Sequence, residues 1–266
     1  MAAYFWQNRE LLNTSLNRPF STIGISKQSL HQRLDRQLKQ QSYEHQLLYL
    51  VYEVREDHPT MGARDMYYLL KPEFIGRDSF ERFCKYHGLV SSRPLNYRRT
   101  TDSRGVKRFD NLTLNLKLIS LNQLWVSDIT YFEVNGRFYY LTFIMDAYSR
   151  YILGYSASKR LFTEQTTLSA LKMAMEVRNG INLIGLLLHS DGGGQYYDNE
   201  FLALTDNKKI RNSMCEYPWE NGKSERVNGV IKNNYLKHRG IKSSLDLTRE
   251  VDRSIKLYNE KNHINH

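Results

Sequence analysis

Apolar residues along this chain change their spacing twice, and the changes mark its organisation. Leu47, Leu50, Val51 and Val54 stand at i, i+3, i+4 and i+7, one stripe of an amphipathic helix. His58-Pro59-Thr60-Met61-Gly62 breaks that helix and Ala63 to Leu70 resumes it. After Pro72, a short helix over Asp78 to Leu89 is stopped by Gly88. From Ser91 to Lys117 apolar content falls. Beyond residue 121 the pattern becomes that of strands. Segments 124–132, 137–145 and 150–157 are rich in β-branched and aromatic residues, and Asn135-Gly136 joins the first two as a tight turn. Thr163 caps a helix with Leu168, Leu171 and Met175 on one face, ended by Asn179-Gly180. The run Leu183–Leu188 predicts a strand covered on both sides. A helix over 198–206, a short strand near Ile210 and a helix starting near Glu225 follow. Three antiparallel strands and then alternating helices and strands specify an α/β domain, a mixed sheet with helices on both faces.

Three acids stand out against this pattern. Asp128 lies in the middle of the strand Leu124-Trp125-Val126-Ser127-Asp128-Ile129-Thr130, where an unpaired carboxylate is costly. Asp191 follows the apolar run directly, ahead of three glycines that let backbone or ligand approach closely. Glu225 opens a helix whose Val227, Val230 and Ile231 cluster on the opposite face, while Lys232 returns to within about 20° of it. Carboxylates from two strands and a helix can converge on hard cations, and two such ions can clamp both oxygens of a phosphoryl transfer. Chemistry alone leaves this reading level with three unrelated surface acids.

Four motifs occur in order: Trp125-x-x-Asp128-x-Thr130; Phe143-x-x-Asp146-x-x-Ser149-Arg150; His189-Ser190-Asp191-x-Gly193-x-Gln195-Tyr196; and Glu225-Arg226-x-Asn228-x-x-x-Lys232. The set resembles the catalytic half of bacterial insertion-sequence transposases of the DDE, retroviral-integrase-like superfamily, closest to the copy-out/paste-in group. The resemblance covers roughly residues 43 to 263. It implies an RNase H-like fold, strand cleavage and strand transfer on DNA, and Asp128, Asp191 and Glu225 as ligands of two Mg2+ ions, with Mn2+ able to substitute. It implies DNA contacts from Lys232, Arg226, Asn228, Thr130 and His189, and a homodimer or larger assembly on the element ends and target. Asp146 falls outside the catalytic set, and an ion pair with Arg150 is expected of it. The interval from Asp191 to Glu225, 34 positions, is a little shorter than usual in that family. The shortening falls in the loop Cys215 to Glu220. Tyr258-Asn259-Glu260-Lys261-Asn262-His263 lacks the Arg-Pro that the family carries there. A catalytically impaired DNA-binding regulator, or an RNase H-like nuclease, is therefore the alternative.

Charge and composition narrow the partners. A net charge of +10 and a pI near 9.4 favour an anionic partner, nucleic acid in the ordinary case, with surface lysines kept for solubility as the plain alternative. Cys84 and Cys215 have no metal-ligand spacing and read as reduced thiols of a cytoplasmic, nucleoid-associated protein. Neither a signal peptide nor an 18-residue apolar run is present, so no membrane partner is expected. Four segments are expected. In 1–42, Ser26 caps a basic helix that is either the second helix of a helix-turn-helix, with Lys27, Gln28 and His31 toward DNA, or a solvated helix; Gln37 to Gln41 reads as a polar linker. Segment 43–90 is helical; its His58-Pro59-x-x-Gly62 element followed by two helices resembles the winged-helix-like segment of the same transposases, with Arg77, Arg82 and Lys85 either contacting DNA or only flanking a packed core. Segment 91–120 is a basic linker whose Arg98, Arg99, Lys107 and Arg108 either hold phosphates or form a solvated surface. Segment 121–266 is the catalytic domain.

Overall fold

The computed structural model describes Gly24, residues 26–90 and residues 109–264. Arg98, Arg99, Lys107 and Arg108 lie outside the described residues, as does any helix preceding Ser26. The chain divides into two compact units, Met1–Asp57 with Ala63–Leu89, and His58–Gly62 with Val90–His266.

The described part of the first unit is helical: α1 (Lys27–Asp57), α2 (Ala63–Leu70) and α3 (Arg77–Tyr86). Ser26 Oγ accepts from the Ser29 amide at 3.1 Å, an N-cap as expected. The expected linker at Gln37 to Gln41 is overturned, because α1 runs straight through it. No Gly or Pro interrupts 27–57, and Gln, Lys, Arg and Leu are all good helix formers. Gln40 donates to Glu44 one turn on at 3.0 Å. Leu47, Val51, Met66, Phe80 and Cys84 form the buried interior of this unit. Gly88 (φ 66°) closes α3: its amide reaches Lys85 O and the Leu89 amide reaches Cys84 O, so the last carbonyls are satisfied. Among its described residues this unit has helices and no strand.

The second unit holds β1 (Leu124–Val134), β2 (Arg137–Asp146), β3 (Ile152–Ser158), α4 (Thr167–Val177), β4 (Leu187–Ser190), α5 (Asn199–Asn207), β5 (Arg211–Met214), α6 (Gly222–Val230), a π turn (Ile231–Tyr235) and α7 (Ser244–Ile264). The sheet order is β3-β2-β1-β4-β5. β1, β2 and β3 pair antiparallel, and β4 and β5 join parallel. This is an RNase H-like sheet. Strand alternation sends Leu124, Val126 and Leu187 to the side of α6 and α7, with Val227, Ile231 and Val251. It sends Trp125, Leu188 and Ile144 to the side of α4 and α5, with Leu171 and Phe201. At Gly154 the helix α4 lies directly on β3, where a Cβ would fall 2.0 Å from Ala170 O. No helix among the described residues is long and apolar enough to cross a membrane.

Asn135 (φ 49°) and Gly136 (φ 73°) form the expected two-residue hairpin turn. The run Leu183–Leu188 is only partly strand. Gly185 (φ 82°) turns the chain, so Leu183 and Leu186 pack as turn residues and β4 begins at Leu187. Thr163 opens a 3-10 turn, and α4 starts four residues later. Asp146 makes no ion pair with Arg150. Its fully buried carboxylate accepts from the amides of Asn122 (2.7 Å), Tyr148 (2.9 Å) and Ser149 (3.0 Å). Three backbone donors satisfy it, and it thereby fixes the β2–β3 turn and the approach to β1. Asn259 similarly brackets Ile152, donating to its carbonyl at 3.0 Å and accepting from its amide at 2.9 Å, which ties α7 to the edge strand β3.

Candidate active site

The site grows from the parallel pairing of β1 and β4. Val126 is in register with His189; two residues further along each chain come Asp128 and Asp191. The period of two puts both carboxylates on the α6 side of the sheet. Asp128 Oδ1 accepts from the Ile129 amide (2.9 Å) and Oδ2 from Asn228 Nδ2 (2.8 Å). Asp191 Oδ1 accepts from the Gly193 amide at 3.0 Å. The tight turn that allows this needs Gly192 (φ 79°), where a Cβ would also strike the Met214 side chain at 2.6 Å.

Electrostatics couple the acids. Burial first, then the charge of Asp191 and that of Glu225, push the Asp128 carboxyl up to about 8, against the opposing pull of its two hydrogen bonds. Burial also raises Asp191. The crowded pair therefore holds a proton that ordinary carboxyls have lost. Glu225, in the first turn of α6, is exposed and touches Asp128 through its field only. Among the described residues no three His, Cys, Asp or Glu stand close enough to hold a metal ion. Asp128 and Asp191 are neighbours, and Glu225 lies on α6 with its charge acting on Asp128. The donor set nevertheless suits a hard cation: two crowded, half-buried oxygen ligands whose repulsion a positive charge would relieve.

Around the pair, Asn228 Oδ1 and Asn221 Oδ1 are buried without a partner, while Asn221 Nδ2 reaches Ser127 O at 3.3 Å. Lys232 Nζ donates to Thr130 Oγ1 (2.7 Å) and Tyr131 O (3.2 Å) and lies 5.1 Å from the Tyr131 ring centroid. Burial lowers its ammonium pKa. Arg226 is exposed. His189 does not face solvent. It is 1% exposed, its Nδ1 pairs with Ser213 Oγ at 2.9 Å, and burial brings it down to about 4, so it stays neutral. A direct DNA contact from His189 is not what this geometry offers. Both cysteines are free and buried.

Residues 120–217 match the Integrase core domain family. A 31 kDa protein of insertion element IS600 from Shigella sonnei is 30% identical over 62% of this chain and 61% of its own length. The transposase for insertion sequence element IS629 from the same species is 27% identical over 77% of this chain and 70% of its own length. Residues 120–217 are thus similar to an integrase core, and the chain spans about three fifths of the length of the IS600 relative. The HTLV-2 integrase catalytic core domain, solved in complex with magnesium, overlaps 50% of this chain and 82% of that one at 23% identity and a TM-score of 0.39, a likeness of part of the fold and no more.

Two features near this site had no signal in the sequence. The loop after β5 is capped by Glu220, whose carboxylate accepts from the amides of Glu216 (2.6 Å) and Tyr217 (3.0 Å). Glu220 is thereby committed to its own turn. The π turn after α6 was equally hidden, and a five-residue turn of this kind is common beside functional sites.

Proposed function

We propose that this chain is a DNA transposase that cuts and joins strands at the ends of an insertion sequence, with Asp128, Asp191 and Glu225 as its catalytic carboxylates. The observation that carries the reading is the placement of Asp128 on β1 beside Asp191 just after β4, next to α6 with Glu225 and Asn228 and the π turn with Lys232. Two Mg2+ ions, or Mn2+ in their place, held by the three acids would supply the charge that activates the attacking oxygen and stabilises the departing one. Asp128 must give up its proton to serve, and Asn228 holds the carboxylate in place through Oδ2. Closing the set asks Glu225 to move inward with α6. Lys232, Arg226 and Thr130 line the approach and would hold the DNA backbone there. The attacking group is water or a terminal 3′-hydroxyl, and the bond broken joins phosphorus to the leaving 3′-oxygen. No covalent protein–DNA intermediate is required.

Joining two element ends to a target implies a homodimer or larger assembly on DNA, acting in the bacterial cytoplasm where that DNA lies. The test is strand cleavage and transfer on end-containing DNA by the purified chain. Activity in Mg2+ that is lost in Asp191→Asn, with DNA binding kept, supports the proposal. DNA binding without cleavage by the parent chain would make it a regulator, and cleavage without joining a nuclease.

A further inference from the structure

The loop between β5 and α6, Cys215-Glu216-Tyr217-Pro218-Trp219-Glu220-Asn221, carries an arrangement that strand cleavage by three acids leaves without a role. The rings of Tyr217 and Trp219 lie flat against each other, centroids 4.6 Å apart and planes 4° from parallel. Both stand in solvent, Trp219 67% exposed. Rings of this size ordinarily bury most of their area. Here the loop holds them out. The Cys215 amide is fixed to Ser190 O at 2.9 Å, Glu220 caps the turn, and Asn221 is tied to Ser127 O.

Two facts indicate what they meet. The seven residues contain two acids and no Lys or Arg, so the loop is ill suited to phosphate in a chain whose net charge is +10. It is also anchored at the candidate active site: Ser190 and Ser127 immediately precede Asp191 and Asp128, and the charges of both aspartates act on the Cys215 thiol. A flat, uncharged, preorganised aromatic surface beside a site for phosphates suits the π-face of a nucleobase.

We propose that Tyr217 and Trp219 form a stacking platform for one unpaired base of the DNA strand lying at Asp128 and Asp191. The proposal rests on the transposase reading above. Pulling a base from the duplex is costly, and stacking on an aromatic side chain recovers part of that cost without regard to sequence. The platform would thus favour DNA already opened at the reacting phosphate.

The test uses the full chain in calcium and two duplexes of one sequence, one fully paired and one with a short central mismatch containing 2-aminopurine. The parent should prefer the mismatched duplex and quench the 2-aminopurine. Trp219→Ala should reduce that preference on the order of tenfold and restore the fluorescence, leaving paired-duplex affinity unchanged. Trp219→Phe should keep most of the preference, and Tyr217→Ala should weaken it. Equal affinity of the parent for both duplexes, or equal losses on both in Trp219→Ala, would overturn the platform. The transposase reading fails by a different result, absence of metal-dependent cleavage by the parent, which these binding measurements do not touch.

Discussion

Asp191 leaves β4 two residues beyond the pair formed by Val126 and His189, which sets it beside Asp128 on one face of the sheet. Two carboxyls so placed resist losing both protons, and the consequence can be measured as stability against pH. The Asp128 carboxyl sits near 8 in the folded chain and near 3.8 when unfolded. The folded state therefore holds more protons between these values, and stability falls as pH rises through the window. His189 acts in the opposite sense, since its folded value near 4 lies below 6.5 and its contribution grows as pH rises between them. The two offset below pH 6.5. Between pH 6.5 and 8 Asp128 is unopposed, and the metal-free chain should lose up to about 2 kcal/mol. Denaturant melts should show the loss in the parent and a flatter profile in Asp128→Asn. A parent profile as flat as the variant's would contradict the raised carboxyl.

Divalent cation should reverse that loss. Mg2+ or Mn2+ at about a hundred times its dissociation constant should stabilise the parent by about 2.7 kcal/mol, more easily at pH 8 than at pH 6.5, because binding releases the proton. Thermal melts of Asp128→Asn and Asp191→Asn should show little of this gain. Equal gains in the variants would move the ion elsewhere.

Glu225 and Glu220 can be told apart by exchange for glutamine. Glu220 is engaged in capping its own loop, whereas Glu225 is exposed and its field reaches Asp128. Glu225→Gln should retain DNA binding and lose cleavage and joining in Mg2+ by at least about a hundredfold, a loss equivalent to about 2.7 kcal/mol of barrier. Glu220→Gln should keep measurable chemistry. The reverse pattern would make Glu220 the third acid.

For the basic segment 91–120, the quadruple variant Arg98→Ala, Arg99→Ala, Lys107→Ala and Arg108→Ala gives a direct reading. If these side chains hold phosphates, affinity should fall alike for all sequences and the salt dependence should flatten. Unchanged affinity and slope would return them to ordinary solvated surface.

Gly154 offers a test of the fold alone. A methyl group there has no room against Ala170 O, so Gly154→Ala should destabilise the core by about 1–3 kcal/mol as α4 is forced off β3. An unchanged melting midpoint would mean that α4 sits more loosely than described.

Much of the core was legible because its strands alternate and its hairpin is written Asn135-Gly136. Asp128 could be read as an acid inside a strand, and its neighbour Asp191 as an acid at a strand's end. What could not be read depends on partners that leave no local trace. Asp146 is satisfied by backbone amides, and any residue supplies an amide, so an ion pair with Arg150 looked equally sound. His189 meets Ser213 only because β4 and β5 are in parallel register. The stacking of Tyr217 on Trp219 depends on a turn that Glu220 caps, and a loop viewed only for its length conceals it. The polar stretch of α1 lacks an apolar stripe at Gln37 to Gln41, so periodicity was silent where propensity alone decides.

That last misreading changes how distance is set in the chain. A polar linker has a reach that grows with the square root of its length and forgets direction within a few residues. The 31 residues of α1 are instead a rod of roughly 46 Å, longer than one turn of B-form DNA at about 34–36 Å. Along α1 itself, helix geometry fixes the spacing and phase of one end relative to the other. One added residue between 37 and 41 would lengthen the rod by only about 1.5 Å, yet would swing one end about 100° around the other.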